Sequence, residues 1–354
     1  MTGKSHRFTR DFDTFSGPIT ADQVPALALG CAILGSGGGG DVSAASALLA
    51  ETLKHTSVHL TRVSEIPADA PCSLVGAVGS PTVMLERIPG HGEFTQAVRS
   101  VEKYSGIEFQ AVAPLEIGGV NGLLGINAAA RLGLSVLDVD AMGRALPRLD
   151  QLVTLGAAPL TPLALAQPAG GVLLLDQLGD ETVEHAVRSV LPALGTWAAV
   201  CLQPMTAQVL RRNGVIGSIS RAWGIGHSLL QHSAGEITAD ELAQLVGLRT
   251  LWHGTVAEVL RSRHHTEGTV TLTSGSSTAR VDFAHEYLAA LVDGELQAGS
   301  PDIITLLDER TKLPIAVDRV RVGQRLRLAS LPAPIELERA APRLGVLTVN
   351  GADT

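Results

Sequence analysis

Aromatic residues, lysine and cysteine are all scarce in this chain of 354 residues. Aromatic side chains make up only 3 % of the sequence, so we expect a core of Ala, Leu, Val and Ile. Hydrophobic residues reach 45 % and charged residues 18 %, a balance that excludes a disordered chain. The chain is longer than a typical core of about 100–200 residues, which predicts two compact units, or one large unit with an appended lobe.

Positive charge is also limited. The 27 Lys and Arg residues stand against 35 Asp and Glu, which gives a net charge of −8. Because nucleic acids and anionic membranes are bound by clusters of positive residues, we expect neither as a partner. The three cysteines are widely spaced, and no apolar segment typical of a secretion signal opens the chain. Both observations favour a cytoplasmic location.

The hydrophobic pattern changes along the chain. Residues 1–19 are polar and are predicted to form a loose arm. Strand-like segments at 57–63, 73–80, 108–115 and 135–140 alternate with helical ones, which predicts an α/β layered domain with a mostly parallel sheet. After residue 251 short strands follow one another. We therefore predict an α/β domain over 20–170 and an α+β domain over 171–354 that ends in a β-rich lobe.

The first candidate site is the sequence GSGGGGD at 35–41, between two predicted helices. Glycines let a backbone approach a ligand closely, and the next helix offers free N–H groups to an anion. This makes Gly38, Gly39 and Gly40 candidate substrate-binding residues. The alternative is a tight corner in which Asp41 caps the second helix. No Gly-Lys-Ser/Thr follows, so we expect no nucleotide or organic cofactor.

Two further segments place carboxylates where predicted strands end. In PLEIGGVN at 114–121, Glu116 precedes a helix and Gly118 and Gly119 leave amides uncovered. Ligands of open α/β sheets collect at such ends, although a capped corner is the alternative. In SVLDVDAMGRALP at 135–147, Asp138 and Asp140 are two residues apart, so on a strand they project from one face about 7 Å apart. They could share acid and base roles or hold a cation.

Arg144 follows this carboxylate pair closely in sequence. It could neutralise one of the two acids or hold an anionic substrate through parallel hydrogen bonds. The alternative is a buried Asp–Arg pair with a structural role.

Taken together, these segments resemble the S-methyl-thiohydantoin desulfurase-like family. The resemblance rests on the glycine run, on ExGGxN at 116–121 and on DxDxMGRxxP at 138–147, and it extends over about residues 20–330. It also includes His285-Glu286-Tyr287, where the family pattern has Asn in the first position. The resemblance implies an α/β domain joined to a β-rich domain. It further implies loss of sulfur from the ring carbon between the nitrogens of a five-membered cyclic ureide or thioureide.

We therefore predict a hydrolase in which water replaces sulfur or a methylthio group on a thiohydantoin ring. The predicted catalytic residues are Glu116, Asp138 and Asp140. The substrate would be held by the following residues: Gly38, Gly39, Gly40, Gly118, Gly119, Asn121 and Arg144. A divalent metal such as zinc could be bound by Asp138, Asp140 and Asp41. Such a metal would supply the nucleophile, because it lowers the pKa of bound water to about 7.

Two alternatives stay open, and the second of them would use the same residues. The chain could be an accessory, ligand-binding partner of a hydantoinase/oxoprolinase-type enzyme, or a hydrolase that opens a cyclic amide. Association with a hydantoinase-type protein is expected in the first case. The apolar helices also predict a homo-oligomer.

Overall fold

The structure is a computed structural model that describes residue 15 and residues 17–90, 92–233, 238–262 and 267–344. Its helices, α1–α10 in chain order, are Val24–Leu34, Val42–Leu53, Pro81–Glu86, Glu93–Ser105, Val120–Leu132, Asp180–Val190, Ala207–Asn213, Ser218–Ser233, Ala239–Leu245 and Ile335–Leu344. Its strands, β1–β19, are Gly17–Ile19, Val58–Thr61, Pro71–Gly79, Ala111–Pro114, Ser135–Leu137, Val139–Asp140, Leu163–Ala166, Val172–Leu175, Trp197–Cys201, Met205–Thr206, Val215–Ile216, Arg249–Arg261, Glu267–Ser274, Ser277–Ala284, Glu286–Val292, Glu295–Gly299, Ile303–Asp308, Pro314–Ile315 and Arg325–Leu331. Most of the predicted N-terminal arm lies outside the described residues.

The N-terminal domain is built on a sheet with the strand order β1-β2-β5-β4-β3-β9-β7-β8, and β10 also pairs with β3. The central run β2-β5-β4-β3 is parallel, and the flanking strands add antiparallel pairs. The parallel run consists of the four strand segments that the sequence pattern predicts. The α/β prediction is confirmed.

Helix α5 is buried along nearly its whole length against this sheet and against α1 and α2. Its small residues allow this close approach: a Cβ on Gly122 would lie 2.7 Å from the Cys31 sulfur, and one on Gly125 would lie 2.7 Å from the Pro114 Cα. Gly133 ends the helix with a φ of +69°. Helix α5 therefore holds the turn that precedes it in a fixed place.

The segment predicted as one strand over 135–140 is divided in the structure. Strand β5 belongs to the N-terminal sheet, whereas β6 pairs with β11 in a separate two-stranded sheet. The chain bends at Asp138, between the two. The regular alternation that would place Asp138 and Asp140 on one face therefore does not hold.

The C-terminal domain contains an antiparallel sheet with the order β16-β15-β14-β13-β12-β19-β17-β18. This confirms the predicted β-rich lobe. The N-terminal sheet also takes in β8, β9 and β10, which follow residue 170, so hydrogen-bonded strands lie on both sides of the predicted boundary. Within the described ranges, no helix is long and apolar enough to cross a membrane.

The two domains share one core and meet at the glycine run. Ile303, Leu307 and Ala329 of the C-terminal sheet pack in the same apolar cluster as α1 and α5. The Tyr287 amide donates to the Ser36 carbonyl over 2.8 Å, and the Ile304 amide donates to the Ser36 hydroxyl over 3.0 Å. The site described next therefore lies where the domains are joined.

Candidate functional site

The glycine run is a packed corner between three backbone segments. A Cβ on Gly38 would lie 2.8 Å from the Glu286 Cβ, and one on Gly39 would lie 2.8 Å from the Gly119 Cα. A Cβ on Gly118 would lie 2.2 Å from the Ala145 nitrogen. Only glycine fits at these three positions, because neighbouring chain segments approach too closely to leave space for a Cβ. The structure brings the three candidate segments of the sequence together.

The backbone amides of two predicted substrate-binding glycines already have hydrogen-bond acceptors within the protein. The Gly38 amide donates to the Gly35 carbonyl over 2.8 Å, and the Gly119 amide donates to the Cys31 carbonyl over 2.8 Å. These two amides are therefore not free for a ligand. Among the described residues, no acceptor is found for the amides of Gly39, Gly40 and Gly118.

Glu116 lies at the centre of the three segments, with 6 % of its surface exposed. Its carboxyl group accepts from the Asn121 Nδ2 over 2.7 Å and from the Leu146 amide over 2.9 Å. The pKa of Glu116 is raised to about 8, mainly by desolvation on burial; the negative charges of Glu286 and Asp140 contribute to this rise, and the bonds from Asn121 and Leu146 oppose it. The side chain can therefore carry a proton near neutral pH.

Asn121 holds Glu116 in place. Its Oδ1 accepts from the Ala77 amide over 2.6 Å, and its Nδ2 also donates to the Ala77 carbonyl over 3.1 Å. The oxygen and the nitrogen of the side-chain amide are thus both bonded to β3, which orients the nitrogen that donates to Glu116. Asn121 was predicted to bind substrate; in the structure the polar atoms of its side chain bond to Ala77 and Glu116.

Asp140 and Asp138 bind different backbone segments. The Oδ2 of Asp140 accepts from the amides of Ile117, Met142 and Gly143 over 2.7–3.1 Å, and the residue is fully buried. Burial raises the pKa of Asp140 to about 6, against these three bonds. Asp138 accepts from the amides of Ile219 and Ser220 and caps α8.

The hydroxyl of Ser220 donates to the other oxygen of Asp138 over 2.6 Å. Both oxygens of Asp138 are therefore occupied. The structure does not assemble Asp138 and Asp140 as a paired acid and base, because each carboxylate holds a separate turn.

The predicted metal ligands do not fit a metal site in this structure. Asp41 caps α2 by accepting from the Ser43 amide over 2.9 Å, and it forms an ion pair with Arg319 over 2.9 Å. Although desolvation opposes the shift, these contacts lower the pKa of Asp41. Within the part of the chain that the structure describes, no group of three or more His, Cys, Asp or Glu residues could hold a metal ion.

Arg144 is fully buried beside Glu116. Its Nε donates to the Ala145 carbonyl over 3.0 Å, and its Nη1 donates to the carbonyls of Pro301 and Asp302 over 3.1 and 2.6 Å. Its Nη2 is buried and has no hydrogen-bond partner in the described residues. Burial lowers the pKa of Arg144, whereas Glu286, Asp302 and Glu116 raise it. The hydrogen bonds of Arg144 therefore go to backbone carbonyls, and the alternative prediction of a buried Asp–Arg pair is not met.

Glu286 is a site residue that the sequence reasoning did not select. It is 3 % exposed and lies against Gly38 at the start of β15. Burial raises the pKa of Glu286 to about 7, against the positive charge of Arg144. The only sequence signal was its place in the segment 285–287. Its approach to Glu116 depends on how the two domains pack, and this cannot be read from spacing.

Two adjoining family profiles match the chain. The profile described as S-Me-THD-like, N-terminal domain, matches residues 22–177, and the one described as S-Me-THD-like, C-terminal domain, matches residues 179–345. The chain belongs to the S-Me-THD-like family. A comparison with curated proteins gives no match.

Among solved structures, the S-Me-THD-like chain resembles the X-ray crystal structure of a protein from Chromobacterium violaceum. The TM-score is 0.79 at 22 % sequence identity, over 93 % of this chain and 97 % of the other. At this identity the likeness shows the fold alone. It supports the two-domain architecture described above.

His285, which departs from the family pattern, has a positive φ of 66°. Among residues other than glycine, Asn, Asp and His are several-fold enriched in this left-handed conformation. The backbone therefore accounts for both residue types at this position of the S-Me-THD-like chain. The imidazole is exposed, and the turn directs the next residue, Glu286, towards the interior.

Proposed function

We propose that the protein is a hydrolase that removes sulfur, or a methylthio group, from a thiohydantoin-type five-membered ring. Family membership supports a thiohydantoin-related role. The observation that carries the proposal is the buried carboxyl group of Glu116, whose pKa is raised to about 8 beside a fully buried guanidinium. A carboxylic acid that keeps its proton near neutral pH is suited to protonate a leaving group.

In the reaction of an S-methyl substrate, Glu116 is the only side chain that carries a proton. The oxygen of water attacks the ring carbon between the two nitrogens and forms a C–O bond, while the π electrons of the C=N bond move to the ring nitrogen, which takes one proton of the water. The C–S bond breaks, its electron pair stays on sulfur, and sulfur takes the proton of Glu116. The added oxygen becomes the carbonyl oxygen and gives its other proton to the Glu116 carboxylate, which restores the acid. With a C=S substrate, the π electrons and the first water proton go to sulfur instead of nitrogen. The products are a hydantoin and a thiol or hydrogen sulfide.

The remaining residues hold this centre in place. Arg144 would bind the ring, because its charge lies next to Glu116 and one of its nitrogens is unpaired. Asn121 orients Glu116, and Asp140 fixes the turns at Ile117 and Gly143 on either side. No step is assigned to a metal, since both oxygens of Asp138, the Oδ2 of Asp140 and the carboxylate of Asp41 are engaged by other groups.

Product analysis tests the proposal. The purified protein is incubated with an S-methyl-thiohydantoin, and the thiol released is measured together with the mass of the ring product. We expect methanethiol and the corresponding hydantoin in equal amounts. A ring-opened product without thiol would contradict the proposal and support the cyclic-amide hydrolase.

Binding without any product would also contradict it and would support the accessory role. In that case we expect the protein to copurify with a hydantoinase-type partner. Self-association is a separate prediction, which the molar mass in solution would test.

A further inference from the structure

We propose that Arg144 and Glu286 together bind the amide edge of a cyclic ureide, that is, a ring nitrogen beside a carbonyl oxygen. The Nη2 of Arg144 donates to the oxygen, and the carboxyl group of Glu286 is hydrogen-bonded to the nitrogen. This inference rests on the proposed function and specifies which part of the ring is recognised.

The first observation is the unpaired nitrogen of Arg144. Its Nε and Nη1 make three bonds to backbone carbonyls, which fix the plane of the guanidinium. The Nη2 is buried and without a partner among the described residues. A buried donor left unsatisfied costs about 1–3 kcal/mol. A ligand acceptor at this nitrogen would remove that cost.

The second observation is the carboxyl group of Glu286. The residue is 3 % exposed, and within the described ranges its side chain forms no hydrogen bond and no salt bridge within 4 Å. Arg144 is nevertheless the charge that acts most on Glu286. Arg144 and Glu286 are thus two buried groups of opposite charge that act on each other, and within the described residues no hydrogen bond or ion pair joins them. A ligand that bonds to both would satisfy each of them.

Charge selects the class of this group. A small anion would satisfy Arg144 but would add a second negative charge beside Glu286, whose charge already acts on the guanidinium. A cation would satisfy Glu286 but would be repelled by Arg144. A neutral group with an acceptor next to a nitrogen satisfies both sites. The N–H and C=O groups of a cyclic ureide are arranged in this way.

Binding of two matched ligands tests the inference. In 1-methylhydantoin the nitrogen between the two carbonyls keeps its hydrogen, and in 1,3-dimethylhydantoin it carries a methyl group. Calorimetry measures the affinity of each for the wild-type protein and for Glu286→Leu. Glu258→Leu, an exposed position on β12, is the matched control.

We expect the wild-type protein and the control to bind 1-methylhydantoin at least about tenfold more tightly than the dimethyl compound, as for a lost buried hydrogen bond. In Glu286→Leu this preference should disappear, which shows coupling between the residue and the ring nitrogen. If Glu286→Leu does not fold, Glu286→Gln is used and a reduced preference is expected. Equal binding of both ligands, no binding of either, or an unchanged preference in the variant would overturn the inference.

The outcome is separable from that of the proposed function. A preference that depends on Glu286, with no thiol released from an S-methyl-thiohydantoin, would leave the inference standing and reject the desulfurisation. Thiol release without the preference would do the reverse.

Discussion

Two regions of the molecule use buried carboxylates in different ways. At the start of α8, Asp138 accepts three hydrogen bonds and both of its oxygens are occupied. At the domain junction, Glu116 accepts two bonds and Glu286 accepts none from the described residues. Burial alone therefore does not identify a reactive acid. The donors around the carboxylate decide whether it stabilises a turn or keeps capacity for a ligand.

The largest expected effect is on activity at Glu116. Glu116→Gln keeps the shape of the side chain but removes the proton donor, so thiol release should fall by about 10²–10⁴-fold. The rate of thiol release is measured alongside the melting temperature. Glu108→Gln, at an exposed position before β4, is the matched control and should keep the full rate. Equal rates in the two variants would remove Glu116 from the reaction.

The second effect is on stability as a function of pH. Burial raises the pKa of Glu116 to about 8 and that of Glu286 to about 7, above the ordinary value of 4.5. The folded state therefore binds more protons than the unfolded state between these values, and stability falls as pH rises. Between about pH 5.5 and pH 7.5 we expect a loss of about 2 kcal/mol or more in the free energy of unfolding from these groups.

Urea unfolding at the two pH values measures this loss. Glu116→Gln should show a smaller loss than the wild-type protein, because one of the two groups no longer titrates. A stability that rises over this range in the wild type, or the same loss in the variant, would show that the pKa of Glu116 is not raised.

The smallest effect is expected at Asp138. Asp138→Asn keeps the shape of the cap but loses the charge at the N-terminus of α8, and we expect a loss of about 1–2 kcal/mol in the free energy of unfolding. Thiol release per folded molecule should stay within about threefold of the wild type, a change in the activation free energy of less than about 1 kcal/mol, since the side chain of Asp138 bonds to the start of α8 and not to Glu116 or Arg144. A large loss of rate with an unchanged melting temperature would place Asp138 in the reaction and break the comparison.

The sequence predicted the fold well where local pattern decides it. The sequence predicted the strands β2, β3, β4 and β5, because their apolar segments alternate with helical ones. In the structure these four strands form the parallel part of the N-terminal sheet. The pairing of β9 between β3 and β7 was not predicted. This pairing joins β9 to β3, which is far away in the chain, and a local hydrophobic pattern carries no information about such distant partners.

The site was predictable in part. The glycine run and the segments that carry Glu116 and Arg144 are in contact, because the glycines allow their backbones to approach closely; the roles of these residues in binding and catalysis stay predictions. The roles of Asp138 and Asp140 depended on a regular strand, and the bend between β5 and β6 removes that premise. Glu286 was missed because it reaches the site from the other domain.

A crystal structure of the protein with 1-methylhydantoin would show whether Arg144 and Glu286 bind the ring. We expect ring density at the domain junction, with the carbonyl oxygen at Arg144 Nη2 and the free ring nitrogen at the Glu286 carboxyl group. Density at a different surface, with the Arg144 nitrogen still unpaired, would contradict it.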